Sequence, residues 1–252
     1  MVERYFNSDK AVLTAMVQAQ TPERIKFLMD RCREDGAEAF GMQFEQLLPE
    51  YRNEKVYREL FAYADGLPVY YTNYRNTTNE GKSDETLANE LIEMAECGGA
   101  IADVMGDYFA RTAGEYTIKT EAVAKQKELI NALHEKGAKV LMSSHVLKFT
   151  PAERVLEIAL GHRERGADIS KIVTYANNTA EEMENLRIVT LLKEKLDIPF
   201  LFLAGGECHI LRRIGGELGC CTYLCVHEHD ALATKTQPLI KNLKQIRDNI
   251  AR

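Results

Sequence analysis

Short apolar segments recur along the chain at intervals, with longer amphipathic stretches between them, and this alternation restricts the fold more than any other feature. The segments expected to be strands are Ala11–Val17, Ala37–Phe44, Pro68–Arg75, Ala100–Gly106, Lys139–His145, Ile169–Ala176, Pro199–Ala204 and Cys220–Val226. They are short, rich in β-branched and aromatic residues, and often preceded by Gly or Pro. The intervening stretches carry apolar residues at three- and four-residue spacing, the helical period. Thr21 before Pro22–Glu34 reads as an N-cap with Pro in the first turn. Ser83 opens a second helix to Cys97, and Thr150-Pro151-Ala152-Glu153 a third, again with cap, Pro and acid in order. Thr120–Glu135, Thr179–Lys195, Ile210–Leu218 and Leu239–Ile250 follow the same period. Strand and helix alternating through 252 residues predict a (β/α)₈ TIM barrel forming one domain over 1–252. An open doubly wound sheet is the competing architecture, because alternation alone does not close a barrel.

Charge and terminal composition remove several function classes. The net charge is −6 and no long basic run interrupts it, so a nucleic-acid partner is not expected. The opening MVERYFNSDK lacks the apolar core of a secretion signal. No window approaches the ~18 unbroken apolar residues of a membrane span. The expected location is therefore the cytoplasm, with the six cysteines reduced. Cys221, Cys225, His227 and His229 would share one strand face and invite a zinc reading, but their spacing matches no zinc ribbon or finger. Ala204-Gly205-Gly206 is too short for a nucleotide fingerprint, and Cys208-His209 are adjacent residues that would point apart. Neither a metal nor a cofactor is expected.

Catalytic groups in such a barrel project from the C-terminal ends of strands. Lys171 lies inside the apolar run Ile169-Ser170-Lys171-Ile172-Val173, where an ammonium is costly unless paired or neutralised. A nearby cation such as Arg213 would favour the neutral, nucleophilic amine. Snorkelling, or pairing with a carboxylate such as Asp168, is the plainer account. His145 closes the preceding strand, and parallel neighbours lie ~4.8 Å apart, so both side chains could reach one substrate. A histidine titrating near neutrality can move protons during imine formation and hydrolysis. Arg213 precedes the small-residue turn Ile214-Gly215-Gly216 and could hold a carboxylate, or be a surface cation. Gln237 stands before Pro238 at a helix start.

At these residues the chain resembles the type I 3-dehydroquinate dehydratases. The match is densest in Val140-Leu141-Met142-Ser143-Ser144-His145, Phe149-Thr150-Pro151 and Gly166-Ala167-Asp168-Ile169-Ser170-Lys171-Ile172. Arg213-Ile214-Gly215-Gly216-Glu217-Leu218-Gly219 and the loop ending in Gln237 follow in register. The resemblance implies that Lys171 forms an imine with a ring ketone. His145 would act as general base and then acid while a β-hydroxyl leaves as water. It further implies that Glu80 assists the histidine, that Arg75 contacts ring hydroxyls, and that Arg213 and Gln237 bind the substrate carboxylate. A homodimer is implied as well.

Four positions depart from the family pattern. Gly41 and Gln43 stand where a Glu-x-Arg pair is expected at the end of strand two, leaving Gln43 as the substrate contact there. Met105 stands for an acid on strand four, and Ala233 for a serine, with Thr234 beside it. Retained Lys171 and His145 with an altered hydroxyl-binding shell point to 3-dehydroquinate or a related cyclic β-hydroxyketone carboxylate. A Schiff-base aldolase acting on another keto acid and a non-catalytic small-molecule binder are the two alternatives.

Overall fold

The computed structural model describes residues 2–7 and 9–250. Its strands are β1 (Val12–Val17), β2 (Ala39–Gln43), β3 (Val69–Thr72), β4 (Ile101–Met105), β5 (Lys139–His145), β6 (Ile169–Ala176), β7 (Phe200–Gly206) and β8 (Thr222–Cys225). The helices are α1 (Arg4–Asn7), α2 (Pro22–Asp35), α3 (Glu54–Tyr63), α4 (Asp84–Glu96), α5 (Thr120–Glu135), α6 (Ala152–Glu164), α7 (Thr179–Lys195), α8 (Leu211–Leu218) and α9 (Ile240–Asn249). Every strand pairs parallel with its neighbour in the order β7-β6-β5-β4-β3-β2-β1-β8. The circle closes at a narrow seam, where the Cys221 amide donates to the Phe200 carbonyl at 2.9 Å just before β8. A nearly closed (β/α)₈ barrel results, not an open sheet. Among the described residues, no helix is long and apolar enough to cross a membrane.

Because helices cover the outside while side chains fill the inside, both strand faces are buried. Every residue of β1 and β4 is accordingly buried. The cysteine-rich stretch serves the seam: the Cys220 thiol donates to the Phe202 carbonyl at 3.7 Å and Cys225 to the Thr14 carbonyl at 3.3 Å. His227 instead pairs with Asp35 at 2.6 Å, and His229 with the Gln237 carbonyl at 2.8 Å.

Thr21 and Ser83 cap their helices as expected, accepting from the Arg24 and Thr86 amides at 3.3 and 3.1 Å. Thr150 does not cap α6. Pro151 takes the cap position, and Thr150, held extended by the proline after it, donates its hydroxyl to the Lys148 carbonyl. Helix α3 falls in a stretch for which the sequence periodicity singles out no helix; it buries Tyr57, Leu60 and Phe61. The third strand stops at Thr72, so Asn73, Tyr74 and Arg75 belong to the loop over the barrel mouth.

One buried group ties α6 to the sheet. His162 on α6 is wholly buried between two hydroxyls, with Nε2 3.0 Å from Ser144 Oγ and Nδ1 3.0 Å from Ser170 Oγ. Ser144 donates its own proton to the Glu115 carbonyl, so His162 Nε2–H is the donor to Ser144 and Ser170 donates to Nδ1. The ring is thus neutral, and burial, aided by the Arg165 charge, pushes its pKa down to about 3 from 6.5. Between those values the unfolded chain takes a proton that the folded one refuses, so stability falls as pH drops below 6.5. Urea unfolding at pH 7 and pH 5 should show about 2 kcal/mol of acid loss that His162→Gln abolishes.

Candidate active site

Lys171 sits on β6 facing the barrel interior, opposite Ser143 on β5 and Leu201 on β7. It is 4% exposed, and its Nζ contacts Tyr74 Oη at 2.7 Å, Tyr70 Oη at 2.9 Å and Asp103 Oδ2 at 3.1 Å. An ammonium has three N–H groups, and here each finds an acceptor. Asp103 on β4 is the counter-ion. Its Oδ2 also accepts from the Tyr70 and Tyr74 hydroxyls, and its Oδ1 accepts from Ser143. Burial pushes the Asp103 carboxyl up, but the Lys171 charge and these three hydrogen bonds outweigh it and hold the pKa below the usual value. Burial, reinforced by the Asp103 charge, pushes both phenols well above theirs, so they stay protonated. The expected neighbours are absent from this shell: Asp168 lies at the other end of β6, engaged with His134 and Lys139.

His145 ends β5 two residues beyond Ser143, the partner of Lys171, which places it about 6.6 Å further toward the mouth. Its Nδ1 lies 2.6 Å from Glu115 Oε2, and the same oxygen accepts the His145 amide at 3.1 Å. With Nδ1–H given to a carboxylate, Nε2 is left as the basic nitrogen. The Tyr74 ring packs edge-on against the imidazole at 5.3 Å between centroids. Glu115 comes from the long 106–119 connection between β4 and α5, at a left-handed φ of 50°. That connection is tied down by buried Arg165, which donates to the carbonyls of Gly106 at 2.9 Å and Thr117 at 2.6 Å.

Glu80 does not reach the histidine. It follows a turn at 77–79, is exposed, and the nitrogen it would orient is already taken by Glu115. Arg213 is likewise displaced from its expected role, being exposed on α8 and donating to the His209 carbonyl. One residue along a helix turns a side chain by about 100°. Arg212 therefore points inward: it is 7% exposed, donates Nε to the Ala204 carbonyl at 2.7 Å, and lines the cavity with Lys171 and Gln237. Burial lowers its pKa to about 10, leaving it a cation at neutral pH.

The cavity has two connected parts. The inner part, about 300 Å³, holds Lys171, Arg212, Thr236 and Gln237 between Met16, Val173, Leu203 and Leu224. The outer part, about 580 Å³, is bounded by Arg75, Arg111, Glu45 and Gln18. His145, Tyr74, Gln43 and Thr234 border both. Gln237 is 5% exposed, and among the described residues its Oε1 has no hydrogen-bond partner. Arg75 spends four of its five N–H groups on Asp84 and Asp107. At Gly41 a Cβ would lie 2.2 Å from Met16 Sδ, so the Met16 thioether occupies the space a side chain there would need. A separate cavity of about 420 Å³ lies at the N-terminal end of the barrel beside Tyr5 and Pro199, away from all of these groups.

Sequence reasoning passed over Asp103, Tyr70, Tyr74, Glu115 and Arg212. Strand alternation could have found Tyr70 and Asp103, since inward positions of one barrel layer recur every second residue. Glu115 had no such signal, because it arrives on an irregular connection.

The barrel thus gathers a buried lysine, a histidine–carboxylate pair and an inward arginine at the C-terminal rim of its strands, where barrels of this class carry their sites. The model of the type I 3-dehydroquinase family matches residues 16–251, and the chain belongs to that family. A 3-dehydroquinate dehydratase from Alkaliphilus oremlandii is 36% identical over 94 residues, 36% of this chain and 37% of that protein. This alignment thus spans little more than a third of that relative's length. Two solved structures share the fold over nearly all of both chains. The type I 3-dehydroquinate dehydratase of Clostridium difficile with covalently modified comenic acid has a TM-score of 0.78 at 17% identity, covering 95% of this chain and 92% of that one. The 3-dehydroquinate dehydratase of Geobacillus kaustophilus has a TM-score of 0.80 at 13% identity, covering 95% and 91%.

Removing one member of a buried ion pair leaves the other charge uncompensated. Asp103→Asn should therefore destabilise the fold by about 3–5 kcal/mol at pH 7 in urea unfolding. Adding Lys171→Met to it should recover most of that loss; an unchanged loss in the double variant would show that the cost lies elsewhere.

Proposed function

We propose that this chain is a Schiff-base dehydratase that eliminates water from 3-dehydroquinate or a related cyclic β-hydroxyketone carboxylate. The observation that carries the reading is the placement of Lys171 and the Glu115-bound His145 on one cavity, within a family whose model matches nearly the whole chain. Arg212 and Gln237 hold the substrate carboxylate at the inner end: a guanidinium supplies charge-assisted donors, and the buried Gln237 amide has an end still to be satisfied. This sets the ring ketone beside Lys171.

Attack requires the amine to shed one proton, and the Asp103 carboxylate in contact with Nζ is the nearest acceptor. The amine then forms the C–N bond, the carbonyl oxygen takes one proton from that nitrogen and the one held by Asp103 and departs as water, and the resulting iminium acidifies the adjacent C–H. His145 Nε2 removes that proton, its developing charge held by Glu115 at Nδ1. The enamine expels the β-hydroxyl, which takes the proton from His145 and leaves as water. Hydrolysis of the conjugated imine frees Lys171. Gln43, Thr234 and the remaining N–H of Arg75 face the outer part of the substrate, where its hydroxyls would lie. The proposal includes the cytoplasmic location and single domain expected from the sequence, and the homodimer that the family resemblance implies.

The test is intact mass after incubation with 3-dehydroquinate and borohydride. A reduced adduct that Lys171→Ala abolishes, with absorbance of the dehydrated product growing in the untrapped sample, establishes the reading. An adduct without product moves the substrate elsewhere, and no adduct across a panel of keto acids turns the site into a binder.

A second measurement separates the two glutamates. Glu115→Gln should cut turnover by about tenfold or more at little change in KM, since it removes the charge that supports the protonated imidazole. Glu80→Gln should leave turnover near wild type.

A further inference from the structure

The buried amide of Gln18 joins three elements at the rim of the cavity. Gln18 follows β1 and is 6% exposed. Its Oε1 accepts the Thr234 amide at 3.0 Å, and its Nε2 donates to Gln43 Oε1 and, at 3.3 Å, to Thr234 Oγ1. A backbone N–H can only donate, so the Thr234 contact fixes which end of the Gln18 amide is oxygen. The same side chain thus grips the end of β2 and the connection between β8 and α9.

That connection carries the carboxylate anchor. The Thr234 carbonyl accepts the Gln237 amide at 3.0 Å, closing a turn over 234–237. The turn places Thr236 and Gln237 on the inner cavity. The pull of Gln18 on Thr234 is therefore one peptide removed from Gln237. Upstream, the connection is held by Arg24 against Asp230 at 3.0 Å, and by Asp230 Oδ1 accepting the amides of Leu232 and Ala233 at 3.0 and 2.9 Å. Between this half-buried ion pair and Gln237, whose carbonyl also meets His229, Gln18 supplies a buried attachment. A buried hydrogen bond of this kind resists opening, because breaking it strands polar groups out of water.

We propose that Gln18 is a positioning residue for substrate binding: it locks the 230–239 connection onto β2 and so sets where Gln237 meets the carboxylate. The consequence for catalysis rests on the function proposed above; the mechanical claim does not. Gln18 touches neither Lys171 nor His145, so it acts on affinity and leaves the bond-making step alone. Its neutral amide suits the place, since a charge between Gln43 and Thr234 would be buried without a counter-ion.

The variant Gln18→Met keeps the volume and removes all three bonds. Gln18→Glu keeps an acceptor for the Thr234 amide, and Gln18→Ala removes the bonds without filling the space, in case the methionine packs badly. Backbone hydrogen exchange on peptides spanning 230–239 should accelerate about tenfold or more in the Met and Ala variants, the equivalent of one lost hydrogen bond. In Gln18→Glu, which keeps the acceptor for the Thr234 amide but buries a charge, the acceleration should be smaller than in Met and Ala, and in all three variants the rest of the barrel should be unchanged. The 3-dehydroquinate concentration that half-saturates borohydride trapping at Lys171 should rise about tenfold in Met and Ala, with the trapping rate at saturation unaltered. Unchanged exchange in both Met and Ala, or a slower saturated rate at constant half-saturation, would overturn the assignment. If wild type traps no adduct, the functional reading fails while the exchange experiment still decides the role of Gln18.

Discussion

The charge pair between Lys171 and Asp103 organises everything around it. Two ions out of water are tolerated only when geometry and hydrogen bonds repay their desolvation. Here the repayment is shared among four adjacent strands: Tyr70 from β3, Asp103 from β4, Ser143 from β5 and Lys171 from β6. These residues are not level in register, since Asp103 pairs with Leu141 while Ser143 pairs with Lys171. The stagger of a closed barrel brings them to one height. The buried lysine, its counter-ion and its hydroxyl partners are therefore brought together by barrel closure as much as by sequence.

Above this layer, the histidine depends on a segment outside the barrel. The 106–119 connection delivers Glu115 to His145 with a strained backbone at Glu115 itself, a conformation that persists only where surroundings over-determine it. The surroundings are identifiable. Ser144 donates to the Glu115 carbonyl, Arg165 spans Gly106 and Thr117, and Gln126 donates to the carbonyls of Gly106 and Tyr108. The Arg165 guanidinium also lies 4.4 Å from the centre of the Tyr116 ring. The Glu115 contact to His145 is thus supported from behind by Gln126 on α5 and Arg165 at the end of α6.

The departures from the family pattern also have a physical account. At Gly41 a side chain would collide with Met16, and Gln43, the other position of the expected Glu-x-Arg pair, accepts from the Gln18 amide. The acid missing at Met105 is supplied two residues earlier on β4 by Asp103, deeper in the barrel. Lys171, His145, Arg212 and Gln237 line the cavity, while Gln43 at the end of β2 and Gln18 just after β1 give the outer wall neutral amides. Buried Glu45 on that wall, pushed up to about 7 by burial and held by Thr72, is only partly ionised near neutrality.

Strand spacing, helix caps and the family motifs determined the architecture, and placed Lys171 and His145 on neighbouring strands, from the sequence alone, because both are written in local order. Apolar period and turn chemistry act within a few residues, and Lys171 and His145 lie within strands whose bounds, Lys139–His145 and Ile169–Ala176, are those of the expectation. What tertiary structure decided is which neighbours those two residues have. Arg212 rather than Arg213 faces the cavity because helical phase is set by how α8 packs on the barrel, and a shift of one residue reverses inside and outside. Glu115 rather than Glu80 reaches His145 because the path of an irregular connection is fixed by distant anchors such as Arg165. Asp103 became the partner of Lys171, though 68 residues separate them in the chain, because barrel stagger placed it there. Local pattern places Lys171 and His145 on their strands; closure of the barrel selects their partners.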